Sequence, residues 1–198
     1  MNQNEVKHIL DTMGVALRCN RERAASLILN DPTGIQEVLP LVFDAQYKNH
    51  HKAAWVIEII FEQDLSLIYP HLTYFTSHLH HVKNDSAVRS LAKIGRWVAW
   101  DYKKCKTQQH PLQIAEILQL VEAGFDWMIG PYPVTPKAYT MDTLFIFGNV
   151  QNPALEWVLE SLKDVILQQI QHGSPGFQNH GHKILEQIKK VELEKLST

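Results

Sequence analysis

The chain has 198 residues, 45% of them apolar and 20% charged, with 9 Gly and 9 Pro. That balance excludes a disordered, collagen-like or low-complexity chain, and a core of this size needs no disulfide or metal staple. Nineteen Lys and Arg against twenty-one Asp and Glu leave a formal charge of −2, without the strongly basic balance of an electrostatic nucleic-acid binder. The only cysteines, Cys19 and Cys105, give no disulfide framework and point to a reducing compartment. The opening Met-Asn-Gln-Asn-Glu-Val-Lys has neither the basic nor the apolar region of a secretion signal. The best apolar run, 53–61, is interrupted by Glu58 and too short to span a bilayer. The expectation is one cytoplasmic domain over 1–198, without membrane contact.

Apolar spacing is helical along nearly the whole chain and predicts ten helices. The first two lie at about 4–13 and 20–30, and Asn30-Asp31-Pro32-Thr33-Gly34 separates them from the third. At about 33–46, Ile35, Val38, Leu39, Val42 and Phe43 follow the i, i+3, i+4, i+7, i+8 rule of one helix face. Helices at about 50–63 and 65–82 follow. Asn84-Asp85-Ser86 then offers N-cap oxygens for a helix at about 85–104. The next, at about 111–129, carries Leu112, Ala115, Leu118 and Val121. Three prolines in 130–136 forbid helix there. The remaining helices fall at about 135–149, 153–171 and 177–194, the last two divided by Gly173-Ser174-Pro175-Gly176. The apolar run 144–147 continues the helical spacing of Ala138, Met141 and Leu144 and is no strand.

An internal repeat is the most informative feature. Val38-Leu39-Pro40-Leu41-Val42-Phe43 is echoed thirty residues later by Ile68-Tyr69-Pro70-His71-Leu72, each with a proline inside an apolar helix. Each is followed by a helix with a small and basic start, His51-Lys52-Ala53-Ala54 and Ser86-Ala87-Val88-Arg89, and Pro136-Lys137-Ala138-Tyr139 begins a third. A helix-pair period of about 30–50 residues is the sign of an α-solenoid.

On these residues the chain resembles the HEAT repeat family. Leu39-Pro40-Leu41 and Tyr69-Pro70-His71-Leu72 look like the Leu-x-Pro-x-Leu of its first helix. Asp85, Val88, Arg89, Ala92 and Gly95 look like the Asp-x-x-Val-Arg-x-x-Ala-x-x-x-Leu-Gly of its second. The unit at 33–63 lacks the Arg, and the units at 111–149 and 153–194 lack the helix proline. The resemblance covers about 33–149 and implies an all-α fold, a right-handed α-solenoid of about five HEAT-like helix pairs. Short bacterial helical proteins of this kind are sometimes labelled adenylosuccinate lyase. The Ser-Ser-x-Met-Pro-x-Lys-x-Asn loop of that superfamily has no counterpart here, Ser174-Pro175 being the only Ser-Pro.

No motif nominates a catalytic residue: there is no Gly-x-Ser-x-Gly elbow or glycine-rich phosphate loop. Eleven histidines include His50-His51, His78-x-His80-His81 and His180-x-His182; His78 and His81 could share a helix face, yet no Cys or carboxylate lies at ligand spacing in that stretch and the HExxH arrangement is absent. The sequence therefore points to no metal and no cofactor. Trp97 and Asp101 at i, i+4 invite comparison with HEAT-like alkylpurine DNA glycosylases, in which aromatics and an Asp hold a cationic lesion. Arg89, Lys93, Arg96, Trp100 and Lys103 form a basic stripe on one helix. The matching positions of neighbouring repeats, Ala54, Glu58, Ala138 and Asp142, do not extend it.

Aligning the second helices by their small residues stacks Glu58, Lys93 and Asp142 in a row, with Trp55, Ser90 and Tyr139 beside it; Lys183 extends it less securely. Second helices line the concave, commonly binding, side of solenoids. The candidate binding residues are Trp55, Glu58, Arg89, Lys93, Arg96, Tyr139 and Asp142. The alternative for this row is a set of exposed ion pairs on a solvated ridge. The expected function is a non-enzymatic protein-interaction or scaffold module; the second reading is a nucleic-acid-binding or DNA-repair protein of the same architecture, and a ligase-type or lyase enzyme is third.

Overall fold

In the computed structural model, residues 1–105 and 110–196 are described. Among them are ten α-helices, three short 3₁₀ segments and no strand. The α-helices are α1 (Gln3–Thr12), α2 (Arg18–Leu29), α3 (Gly34–Phe43), α4 (His50–Gln63), α5 (Leu72–His78), α6 (Asp85–Lys104), α7 (Ile114–Ile129), α8 (Val134–Gly148), α9 (Val158–Ile170) and α10 (Pro175–Leu196). The fold is all-α, and no described helix is long and apolar enough to cross a membrane.

Local chemistry sets the boundaries. Asn2 accepts from the amides of Asn4 and Glu5, while the Glu5 carboxylate accepts from the Asn2 amide, a reciprocal cap on α1. Asn84 caps α6 as its sequence position suggests, accepting from the Ser86 and Ala87 amides at 3.0 and 3.1 Å. The helix expected from 111 begins at Ile114, because Glu116 reaches back to the Gln113 amide at 2.6 Å. Three other expectations need correcting. The helix placed at 153–171 opens with a separate 3₁₀ turn, Pro153–Leu155, capped by Asn152, and the α-helix starts only at Val158. The helix placed at 33–46 stops at Phe43, where Asp44 turns extended and accepts from the Gln46 amide at 2.9 Å. The helix placed at 65–82 is three pieces: a 3₁₀ segment Leu65–His71, then α5, then a 3₁₀ turn Leu79–His81. Pro70 supplies no amide to an α ladder, and the tighter winding accommodates the gap. Pro40, by contrast, sits inside an uninterrupted α3.

The chain divides into two compact units, residues 1–94 and 95–198. In the first, α1 packs on α2 and α3 on α4, while α1 also packs on α3 and α2 on α4. The second repeats the scheme: α7 packs on α8, α9 on α10, α7 on α9 and α8 on α10. Within these two sets of four helices, each helix thus touches its pair mate and its counterpart in the other pair. The core of the first unit is built from Leu10, Ile28, Leu39, Ile57, Phe61 and Phe75, all fully buried. Ile117, Met141, Leu144, Phe147, Leu162 and Ile166 are the fully buried counterparts in the second.

Ala54, Ile57 and Phe61, expected from their i, i+3, i+7 spacing to face the core, are all buried, Phe61 at 1% exposure. Replacing Phe61 by Ala removes most of a ring from close-packed surroundings and is expected to destabilise by about 3–5 kcal/mol. Denaturant titration of the two proteins measures this; a loss below about 1 kcal/mol would show that the ring does not anchor the first unit.

Candidate functional site

The candidate residues fall into two clusters, one in each unit, and both are built around a carboxylate three residues after an aromatic. In the first unit, α4 carries Trp55 and Glu58. Trp55 is half-buried, with the His51 ring edge-on to it at 4.9 Å. Burial, and then the neighbouring His50 and Lys52 charges, lowers the affinity of His51 for a proton. Glu58 is only 2% exposed, so the expectation of an exposed charge is corrected. Its residual position on the helix faces α6, where Ser90 donates its hydroxyl to Oε2 and Lys93 donates from Nζ to Oε1 at 2.8 Å. A buried carboxylate is tolerable only when paired and hydrogen-bonded in this way.

The pairing continues outward. Lys93 Nζ lies 3.5 Å from Glu62, Arg18 Nη2 lies 2.9 Å from the other Glu62 oxygen, and Arg18 Nε lies 2.7 Å from Glu22. Charges therefore alternate from an exposed end at Arg18 and Glu22 to the buried end at Glu58. Arg89, one turn before Lys93 on α6, is exposed.

In the second unit, α8 carries Tyr139 and Asp142. Arg96 comes from the second half of α6, and its guanidinium carbon lies 5.4 Å from the Tyr139 ring centroid, within reach of a cation–π contact. Its Nε is 2.7 Å from Asp142 Oδ2, but the N–H points off the oxygen, so the contact is an ion pair without a well-aligned hydrogen bond. The other Asp142 oxygen accepts from His180 Nε2 at 2.9 Å. Asp142 is thus held by two basic side chains.

Sequence reasoning placed Ser90 beside the row without seeing that it binds Glu58. His180 was missed as a partner of Asp142, being 38 residues away on α10. Only helix packing brings such pairs together, so no local spacing signals them. Lys183, the proposed extension of the row, is exposed on α10.

The other singled-out residues have separate settings. Asp101 accepts from His110 Nε2 at 3.2 Å, and the Leu112 amide donates to Nδ1 of the same ring at 3.1 Å, which selects the Nε2–H tautomer. Trp97, the other half of that i, i+4 pair, is half-buried. Trp100 is exposed, with Lys103 Nζ 5.0 Å from its ring. His78 stacks on Tyr74 at 4.1 Å and meets His81 edge-on at 5.7 Å. Among the described residues, no group of three or more His, Cys, Asp or Glu is placed to hold a metal ion.

Because Lys93 is the cation of a buried carboxylate, it is not the silent surface lysine that an exposed pair implies. Lys93→Ala is expected to lower stability by about 1.5–3 kcal/mol, the range for losing a hydrogen bond to a charged group. Lys190→Ala, at an exposed position of α10, is expected to change it by no more than about 0.5 kcal/mol. Parallel thermal and denaturant melts of both variants check the contrast, and equal stabilities would mean that the Glu58 cluster contributes nothing.

Compared with family models, with curated proteins and with solved structures, the chain matches none.

Proposed function

We propose that the chain is a non-enzymatic protein-interaction module, built as a right-handed α-solenoid of about five HEAT-like helix pairs. Within each unit, pair mates pack together and corresponding helices of consecutive pairs pack on one another, which supports the repeat reading. Such repeats commonly act through side chains presented on one extended helix face.

One observation carries the functional reading. The two central cations of the α6 stripe are each closed onto a carboxylate of their own unit, Lys93 onto Glu58 and Arg96 onto Asp142. Cations neutralised in this way release few counterions from a nucleic acid, so phosphate tracking loses its driving force. Beside each pair stands a half-buried aromatic, Trp55 or Tyr139, already ordered by its neighbours. An aromatic fixed before binding gives a large contact area at little conformational cost, which suits a protein partner. Arg89 adds an exposed basic contact on the first unit.

Two measurements test this. A labelled DNA duplex titrated at near-physiological salt is expected to give no submicromolar complex; one that Arg89→Glu or Lys103→Glu abolishes would favour the nucleic-acid reading. Arg89→Ala leaves the buried pair intact and is therefore a cleaner probe than any change at Lys93. In affinity capture from a cell lysate, Arg89→Ala is expected to reduce recovery of a bound protein relative to Lys190→Ala, with both variants folded. Equal recovery would remove Arg89 and its face from the interface.

A further inference from the structure

The second unit contains a cavity of about 420 Å³ where the start of α8, the end of α9 and the start of α10 meet. Its size falls in the range of small-molecule pockets, about 300–1,000 Å³. Lys137 of α8 reaches into this space, half-buried. Its ammonium donates to Gln169 Oε1 at 3.0 Å. The Gln169 amide is itself oriented, since its Nε2 donates to the Met128 carbonyl at 2.9 Å. A neutral amide oxygen does not neutralise a cation. Among the described residues no carboxylate lies within ion-pair distance of Lys137, and no Asp or Glu lines the cavity. Burial holds the Lys137 ammonium below the ordinary lysine range, as follows when a cation is desolvated without counter-charge.

The walls define the rest of the ligand. Tyr132 and Phe177, the latter only 4% exposed, line the cavity, and a glycine makes room for each ring. A Cβ at Gly130 would lie 2.7 Å from the Tyr132 ring, and one at Gly173 would lie 2.7 Å from the Phe177 ring. Any larger residue at either position would push an aromatic wall aside. Ser174 and His172 add hydrogen-bonding groups at the rim. The Ser174 oxygen accepts from the Phe177 amide at 3.4 Å, and its hydroxyl proton has no acceptor among the described residues.

We propose that this cavity is a binding site for a small organic monocarboxylate with a flat apolar body. The carboxylate meets the Lys137 ammonium and the Ser174 hydroxyl, and the body lies between Tyr132 and Phe177. A lysine ammonium is a compact point charge open to many anions; the aromatic lining of Tyr132 and Phe177 favours one that carries a flat apolar body over inorganic phosphate. The site is independent of the interaction surface proposed above.

The test uses the full chain and three probes followed by amide chemical shifts and calorimetry: sodium benzoate, the neutral isostere benzamide, and inorganic phosphate. Benzoate is expected to bind and to shift the amides of Lys137 and of residues 172–177. Benzamide and phosphate are expected to bind at least about tenfold more weakly, because each lacks one half of the match, the charge or the apolar body. Lys137→Met is expected to weaken benzoate binding by at least about tenfold, and Lys137→Arg to retain it. The proposal is overturned if benzoate leaves those amides unmoved, if benzamide or phosphate binds as tightly, or if folded Lys137→Met binds benzoate normally. Should Lys137→Met fail to fold, the comparison of benzoate with benzamide on the wild-type chain still decides.

Discussion

Burying the Glu58 carboxylate obliges the first unit to bring a cation and a hydroxyl to it, and both come from α6. Ser90 and Lys93 are one turn apart, so a single face of α6 delivers both groups to the two oxygens. A slip of one residue along α6 would present Leu91 and Ile94 instead and leave a charge buried without a partner. The penalty for that runs to several kcal/mol, a large share of the stability of a domain. The register of α4 against α6 is therefore specified by electrostatics as well as by packing. Apolar contacts alone tolerate sliding far better, since one aliphatic side chain can stand in for another.

The second unit solves a related problem with different chemistry. Asp142 is less deeply buried than Glu58, and it takes its partners from two helices, Arg96 of α6 and His180 of α10. Arginine suits this place because its plane can lie against Tyr139 while its edge meets the carboxylate. Lysine would keep the charge and lose the stacking. In both clusters the acid lies one helical turn after an aromatic, so ordering the charge also orders the ring beside it. In the proposed interaction role, such prearranged side chains have less conformational entropy left to lose on binding.

Lys137 shows the opposite arrangement. Two lysines of comparable burial, each on a helix that begins small and basic, differ in what faces them: Lys93 meets two glutamates, whereas Lys137 meets a glutamine. The first is held in a structural network. The second has no carboxylate within ion-pair distance among the described residues and borders the cavity lined by Tyr132 and Phe177, and on that asymmetry the proposed ligand site rests.

The helical class, nearly all of the helix positions and the central core were legible in the sequence, because they follow from local rules. Apolar spacing of 3.6 residues places Ala54, Ile57 and Phe61 on one buried face, and Asn84 caps α6 through its own neighbouring amides. The prolines were legible as interruptions, but not their consequences: Pro40 is absorbed in α3, while Pro70 converts a turn to 3₁₀ winding, and only the surrounding packing distinguishes the two. Of the candidate residues, the sequence placed Trp55 and Glu58 on α4, Arg89, Lys93 and Arg96 on α6, and Tyr139 and Asp142 on α8. It did not reveal that Glu58 is inside, that Ser90 binds it, or that His180 meets Asp142 across 38 residues. Nor did it mark Gln169 as the companion of Lys137. Backbone hydrogen bonding and hydrophobic periodicity act between residues a turn apart, so a string of residues encodes them directly. Which charge meets which partner depends on how helices distant in sequence pack together, and that was decided only by the tertiary structure.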